Sequence, residues 1–233
     1  MPRQSETSVQ GLPPIPADPL EWRPQAALGT RTRREVTNAV IEPLWDGDHV
    51  LAHFEAGRDG GSDLVLIADD GEDVTELEPD VTELLRSAIQ AVDAVLDGFL
   101  TPQATRAAET VSLSPSVKPG RFNLLYSRSV ETDVAPLPLE QDAPIAFVAV
   151  DLLRLDGMDL FDIPLLERKR LLESIVVEGE RVRVSPYTQP PLAPWLRTWR
   201  AAGFRGVMLK AANSRYRPGH ETGEWVPALS SRR

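Results

Sequence analysis

The sequence predicts an α+β protein in which strands outnumber helices. Several short segments combine apolar and β-branched residues in the way that is typical of strands, Asp-Gly pairs recur between them, and few segments show helical spacing. Strands joined by tight turns pair antiparallel, whereas regular alternation of strands and helices would indicate a doubly wound parallel sheet. We therefore expect antiparallel sheets covered by a few helices.

A proline-rich extension, residues 1–35, precedes the predicted domain. Proline fixes φ and donates no backbone hydrogen bond, so these residues are poor candidates for a helix or a central strand. Globular patterning begins near Val36, and we expect one domain over residues 36–233. The extension either packs on that domain or serves as a linker. Its prolines are Pro2, Pro13, Pro14, Pro16, Pro19 and Pro24.

The first half of the domain is predicted to be a meander followed by a helix. Residues 49–55 and 63–68 have strand patterns separated by a glycine-rich turn. Asp80 and Glu83 have the spacing of a capping box, which predicts that a helix begins there, and apolar residues at helical spacing continue it to Val92. Residues 94–100 form a further strand, and the proline-containing stretch 101–141 is predicted to be loop.

The second half contains the most apolar strand. Residues 145–153 are apolar except for Asp151, which predicts a buried strand that carries a functional or capping carboxylate near its end. Pro164 predicts the start of a helix through Ile175. Three further elements complete the pattern: an amphipathic helix over 192–202 with Trp195 and Trp199 in or near the core, and strands over 206–211 and 224–229.

Composition excludes several classes of function. The chain has no Cys, which removes disulfide frameworks, thiolate metal sites and cysteine nucleophiles. No apolar run approaches the ~18 residues that a membrane helix needs, and the N-terminus lacks an apolar signal region, so a cytoplasmic protein is expected. The net charge of −10 argues against strong binding to a nucleic-acid backbone.

The charge is unevenly distributed. Residues 46–97 contain fifteen acidic and two basic side chains, whereas residues 167–233 contain thirteen basic and six acidic ones. This asymmetry fits either two differently solvated faces or a surface for a partner on the C-terminal part.

The residue patterns alone do not identify a catalytic site. His49 and His53 share a predicted strand face, but without a third ligand nearby no metal site is expected. No nucleophile elbow or glycine-rich phosphate loop is present.

A set of ordered motifs, however, resembles the adenylation domain of ATP-dependent DNA ligases, with the closest likeness to the bacterial end-joining type. The segments that carry the resemblance are Glu42 to Gly47, Val95 to Gly98, Phe147 to Gly157, Pro164 to Leu172, Gly206 to Lys210 and Ser214 to Trp225. It implies a nucleotidyltransferase fold with two antiparallel sheets, flanking helices and a nucleotide groove between the sheets. It also implies a lysine that attacks the α-phosphate of ATP and carries AMP as a phosphoramide, assisted by a divalent metal.

The positions that carry the family's chemistry are altered here. Leu44 stands at the position of the nucleophilic lysine, His49 at that of an arginine, and Phe99 at that of a metal-associated glutamate. Val150 replaces the aromatic residue that stacks on adenine, and Arg205 replaces a glutamate. No catalytic residue and no metal site are therefore expected. The candidate nucleotide-binding residues that the resemblance leaves are Glu42, Trp45, Gly47, Val150 and Lys210.

Another lysine is not expected to replace the nucleophile. The chain has three: Lys118 in a predicted loop, Lys169 in the charged part of a predicted helix, and Lys210 at a position that binds rather than attacks in the family. The chain also ends at Arg233, so the C-terminal oligonucleotide-binding barrel of the family is not expected.

The sequence thus predicts a catalytically degenerate ligase-like protein, a pseudoligase, that acts as a scaffold or interaction module in DNA repair. We expect a protein partner, weak or no direct DNA binding and no cofactor. Two alternatives stay open: a non-catalytic protein that binds or senses a nucleotide, and a ligase completed by a partner, which would use ATP and Mg²⁺.

Overall fold

The fold consists of two packed sheets with flanking helices. The computed structural model describes residues 13–28, 36–58, 60–103, 144–191, 195, 199–200 and 202–229. The strands in these parts are β1 (Ala26–Ala27), β2 (Ala39–Pro43), β3 (Asp48–Ala56), β4 (Ser62–Ala68), β5 (Asp93–Thr101), β6 (Ala146–Leu155), β7 (Met158–Asp159), β8 (Val182–Val184), β9 (Gly206–Ala211), β10 (Glu221–Thr222) and β11 (Trp225–Leu229). Helices α1 (Pro79–Ala88) and α2 (Leu165–Ile175) and a 3₁₀ turn (Pro19–Glu21) accompany them. The predicted α+β class is confirmed.

The sheets have the predicted antiparallel character, with two parallel pairings added. The larger sheet runs β4-β3-β5-β6-β7, and β8 pairs parallel with β6 at its edge. The smaller sheet runs β11-β9-β2, entirely antiparallel. Strands β1 and β10 form a short parallel pair. The predicted strands in β3 to β6, β9 and β11 are confirmed, whereas β2 and β8 were not predicted.

Helix α1 begins and ends differently from the prediction. Glu78 occupies the N-cap without a side-chain hydrogen bond, Pro79 is the first helical residue, and Asp80 lies inside the first turn. The predicted capping box is therefore wrong, because Pro79 already has the fixed helical φ of a first helical residue, so the helix begins before Asp80 and that residue is not its cap. The helix ends at Ala88, and Val92 is 66% exposed rather than part of an apolar helix face.

The predicted helix after Pro164 is confirmed as α2, but its buried face is unusual. Leu165, Arg168, Lys169 and Leu172 are all fully buried. They are spaced i, i+3, i+4 and i+7, so they form one stripe that faces the core. The prediction that Lys169 lies in a charged, solvated part of the helix is therefore wrong, because the helix turns that side chain toward the sheets.

The N-terminal segment 13–28, called the leader here, packs on the sheets. Trp22 is 2% exposed, lies edge-on to Phe161 at a centroid distance of 4.7 Å, and donates from its indole nitrogen to the Pro16 carbonyl at 2.8 Å. Strand β1 in the leader pairs with β10. The division of the chain at residues 35 and 36 stays a prediction.

Some predicted elements lie outside the described residues. They include almost all of the loop 101–141, with Lys118, and most of the helix over 192–202. Trp195 and Trp199 are described and are 7% and 1% exposed, which confirms their predicted place in the core. In the described parts of the chain, no helix has the length and apolar character required to cross a bilayer.

Candidate functional site

A small cavity lies between the two sheets at the position predicted for a nucleotide groove. Its volume is about 80 Å³. The structure brings four of the five altered motif positions together on its wall, namely Leu44, His49, Phe99 and Val150, and the retained Lys210 lies beside them. The leader also contributes to the wall. The other lining residues are Gln25, Ala27, Glu42, Pro43, Trp45, Met208 and Trp225.

The position of the nucleophile directly follows β2. The backbone N–H of Leu44 donates to the Gly206 carbonyl at 3.1 Å, which ties this turn to β9. The side chain of Leu44 lines the cavity and has no atom that could attack a phosphate. An attacking amine at this point would therefore have to come from a lysine elsewhere in the fold.

Lys169 and Lys210 are the lysines among the described residues, and both contact Glu42. Their ammonium nitrogens lie 2.8 Å from Oε1 and 3.2 Å from Oε2 of its carboxylate, respectively. Glu42 and Lys169 are at most 1% exposed and Lys210 is 3% exposed. Burial lowers the pKa of Lys169, and the adjacent Glu42 carboxylate opposes that shift.

Each lysine has a second contact that holds it in place. Lys169 donates to the Val150 carbonyl at 3.0 Å. The ammonium group of Lys210 lies 3.9 Å from the centroid of the Trp225 ring, in a cation–π arrangement. Sequence reasoning missed the role of Lys169. The signal that could have found it is the shared helical spacing with Leu165 and Leu172.

Val150 owes its place on the cavity wall to an irregularity in β6. Asp97 pairs with Asp151 and Gly98 with Ala149, so Val150 is the extra residue of a β-bulge. A bulge changes the direction of the side chains around it. The next residue, Asp151, is fully buried and forms a bidentate ion pair with Arg168, with N–O distances of 2.8 and 2.7 Å.

A second buried network supports His49. Its Nε2 lies 2.6 Å from Oδ1 of Asp97, whose Oδ2 accepts a hydrogen bond from the Tyr216 hydroxyl at 2.7 Å. The same hydroxyl accepts the backbone N–H of Gln25 in the leader at 2.7 Å. Burial raises the pKa of Tyr216 well above its ordinary value, and the Asp97 carboxylate adds to this effect.

His49 and Phe99 form a stacked pair on the cavity wall. Their rings are 4.3 Å apart and within 9° of parallel. These are two of the altered motif positions, and they are cross-strand neighbours on β3 and β5. The two substitutions therefore fit each other, because the imidazole and the phenyl ring cover one another's faces.

Arg205 does not line the cavity but pairs with a retained motif residue. Its guanidinium donates to Oδ1 of Asp46 at 2.9 Å, and the side chains are 66% and 52% exposed. The backbone N–H of Asp46 in turn donates to the side-chain carbonyl of Gln103 at 2.7 Å. The Arg205 guanidinium thus lies beside Asp46. The family resemblance would place a glutamate at position 205 instead.

Two candidate nucleotide-binding residues have structural roles. Gly47 has φ of +143°, and a Cβ there would lie 2.2 Å from the Leu100 carbonyl oxygen, so only glycine fits this close approach. Trp45 is buried, contacts Phe204 edge-on at 4.9 Å and donates to Ser185 Oγ at 2.9 Å. Their presence is explained by the fold itself.

The residues present do not fit the divalent metal that the family resemblance implies. The described parts of the chain bring no three His, Asp or Glu side chains together in a way that could hold a metal ion. Phe99 offers no oxygen ligand, and Arg205 places a positive charge beside Asp46. No chemical step is therefore assigned to a metal here.

Comparison with known proteins identifies the family. Residues 29–227 match the family model described as the ATP dependent DNA ligase domain. The DNA ligase of Natronomonas pharaonis is 31% identical over 207 residues, which is 87% of this chain and 34% of that protein. A probable DNA ligase of a Mycobacterium species is 28% identical, over 91% of this chain and 37% of that protein.

Solved structures agree on the fold. The ligase domain of M. tuberculosis LigD superposes with a TM-score of 0.60 at 22% identity, over 91% of this chain and 60% of that chain. A mycobacterial DNA ligase D solved with ATP has the same TM-score at 24% identity, over 91% of this chain and 61% of that chain. The chain spans about a third of the length of the curated relatives. Since the family model covers most of the sequence, this chain belongs to the ATP-dependent DNA ligase domain family.

Proposed function

We propose that this chain is a catalytically degenerate ligase adenylation domain that acts as an interaction module. The main support is the composition and size of the groove: Leu44 occupies the position of the nucleophile, and the cavity has a volume of only about 80 Å³. Ligand pockets of proteins are usually roughly 300–1,000 Å³. A cavity of this size has no room for a purine nucleotide unless its walls move apart.

The chemistry of the altered positions supports the same conclusion. Formation of a phosphoramide requires an amine that attacks phosphorus, and the described lysines both have their ammonium groups on Glu42. Lys169 has no solvent-exposed surface. Without a nucleophile the covalent route has no first step, whatever the other groups contribute.

The electrostatics of the groove are also unsuited to a triphosphate. Catalysis of phosphoryl and nucleotidyl transfer depends on positive groups and metal ions positioned around the phosphates. Here Lys210 is paired with Glu42, and the exposed guanidinium of Arg205 is paired with Asp46. The leader residues Gln25 and Ala27 also line the cavity and reduce the space for a triphosphate.

An interaction role fits the residues that have been kept. Buried contacts such as Glu42 with Lys169 and Asp97 with Tyr216 hold the fold together, whereas the altered positions are apolar, aromatic or internally paired. By its family, the module would serve DNA repair through a protein partner in the cytoplasm. The net charge of −10 makes strong direct binding to DNA unfavourable.

Labelling with α-³²P-ATP tests the loss of catalysis. The purified full chain is incubated with the nucleotide and Mg²⁺ or Mn²⁺ and then separated on a denaturing gel, beside an active ATP-dependent ligase as positive control. We expect no labelled band. An acid-labile protein–AMP adduct would overturn the proposal, and Lys118→Met, Lys169→Met and Lys210→Met would then identify the attacking amine.

The retained Glu42 and Lys210 favour one second candidate function, non-catalytic nucleotide binding. Calorimetry with millimolar ATP, ADP and GTP separates it from the first. Heat of binding and thermal stabilisation by a nucleotide, without a labelled adduct, would support the second candidate. Absence of both supports a module that has lost nucleotide binding altogether.

A further inference from the structure

A second pocket, separate from the groove, lies between the leader and the larger sheet. It has a volume of about 420 Å³ and is called the acidic pocket here. The leader contributes Asp18, Pro19 and Leu20, and the sheet contributes residues of β3 to β6. Its charged lining residues are Asp18, Glu55, Asp63, Asp93 and Arg154. Four carboxylates and one guanidinium give this lining a net charge of −3.

Three of these carboxylates stand side by side on neighbouring strands. Glu55 on β3 is the register partner of Asp63 on β4 and also of Asp93 on β5. Register partners point to the same face of a sheet, and like charges directly opposite each other are destabilising. The row is thus an unfavourable arrangement that a positive group in the pocket would relieve.

The positively charged side chains of the protein offset the negative charge at only one end of this row. Arg154 lies 3.3 Å from Asp93 and also pairs with Asp159 at 2.8 Å. Among the described residues, Glu55 and Asp63 form no ion pair. Arg23 in the leader is also close to this region, but its guanidinium donates to the backbone carbonyls of Leu20 and Trp22. Two adjacent carboxylates therefore lack a cationic partner.

The same pocket is also lined by His53, a buried side chain with a ring nitrogen that is unpaired within the described parts of the chain. The side chain lines the pocket on the strand face that also carries Glu55, and the residue is only 9% exposed. Its Nε2 has no hydrogen-bond partner among the described residues. Burial lowers the pKa of His53 to about 4, so the imidazole is neutral near pH 7 and one of its nitrogens can accept a hydrogen bond.

We propose that the acidic pocket binds an alkylguanidinium or alkylammonium group, such as the side chain of an arginine or lysine presented by a partner protein. Carboxylates and guanidinium groups form short, charge-assisted hydrogen bonds, which suit Glu55 and Asp63. The neutral His53 ring adds no positive charge that would repel a cation, and Pro19, Leu20, Val65 and Val95 line the pocket with apolar surface for the methylene stem.

Agmatine, which carries both a guanidinium and an ammonium group, is the first probe. Its binding to the full chain is measured by isothermal titration calorimetry at low and at physiological ionic strength. Glu55→Gln with Asp63→Asn removes the two unpaired charges and weakens agmatine binding at least about tenfold. The same double substitution raises the Tm of the free protein, because it removes the repulsion along the row.

Asp69→Asn with Glu76→Gln is the matched control. These two exposed acidic residues lie outside the pocket, and the variant has the same change in net charge. It retains the agmatine affinity of the unmodified chain. Equal affinity of all three proteins, or no binding by any of them at millimolar agmatine, would overturn the proposal.

A second probe distinguishes the source of the cation. The acetylated and amidated peptide Gly-Arg-Gly-Arg-Gly binds more tightly than agmatine if the pocket recognises a protein segment. Tighter binding of agmatine instead assigns the pocket to free polyamines. Both outcomes depend on Glu55 and Asp63. Neither depends on nucleotide chemistry, so the result of the ATP-labelling experiment does not affect this test of the acidic pocket.

Discussion

The ammonium nitrogen of Lys169 lies 2.8 Å from the Glu42 carboxylate, and neither side chain is more than 1% exposed. Lys210 lies 3.2 Å from the other oxygen of the same carboxylate. One buried anion therefore contacts two lysines that come from different elements, α2 and β9. This shared contact joins the helix to the smaller sheet directly beneath the altered groove.

Glu42 is predicted to matter more for stability than either lysine. Glu42→Gln leaves two buried ammonium groups without a counter-ion and should lower the free energy of unfolding by about 3–5 kcal/mol. Lys169→Met should be less costly, since Glu42 keeps Lys210 and the methionine fills similar space. Urea unfolding of both variants tests this order, and an equal or larger loss in Lys169→Met would contradict it.

The two arginines of α2 should differ sharply. Arg168 is fully buried and bonded to Asp151, so Arg168→Met leaves a buried carboxylate and should cost about 3–5 kcal/mol. Arg170 pairs with Glu167 on the surface, where such pairs contribute about 0–1 kcal/mol. Arg170→Met is therefore the matched control in the same unfolding experiment. Similar losses in the two variants would show that α2 is not held by the buried pair.

His53 should make the fold sensitive to acid. Burial lowers its pKa from 6.5 to about 4, so between these values the unfolded chain takes up a proton that the folded chain does not. The contribution of His53 to the free energy of unfolding is fully present above pH 6.5 and falls by about 3 kcal/mol as the pH drops to 4. Unfolding measured at several pH values should show a shallower slope in His53→Gln, and an unchanged slope would refute the assignment.

The leader should contribute to the stability of the domain. Trp22 is 2% exposed and contacts Phe161, so Trp22→Ala should lower the free energy of unfolding by about 3–5 kcal/mol. Leu20 lies in the same segment but is 46% exposed, and Leu20→Ala should change stability by less than about 1 kcal/mol. Thermal unfolding of the two variants tests this difference. A negligible effect of Trp22→Ala would indicate that the leader is dispensable.

Restoring the missing lysine alone should not restore catalysis. Leu44→Lys supplies an amine, but the cavity of about 80 Å³, Phe99 and the Asp46–Arg205 pair are unchanged. We expect no labelled adduct with α-³²P-ATP, with Leu44→Met as the control for packing. A labelled band in Leu44→Lys would mean that the nucleophile is the one lost component and that the groove still admits ATP.

Local sequence patterns were sufficient to predict most of the sheet framework. Strands β3 to β6, β9 and β11 were predictable, because their apolar residues and the turns between them are local signals. The order of the ligase motifs along the chain also indicated which positions would meet at the groove. The start of α1 was predicted wrongly, since Asp80 and Glu83 satisfy a local capping pattern that Pro79 overrides.

The pairing of the buried charged residues depends on contacts between distant parts of the chain. Lys169 and Glu42 are 127 positions apart in the chain, and so no local pattern relates them. The same holds for Asp46 with Arg205, and for Glu55 with Asp93 on the neighbouring strand. Burial and the pairing of distant strands set which charges are neutralised and which are left for a ligand, because a charge removed from water is stable only beside an opposite charge that the fold brings to it.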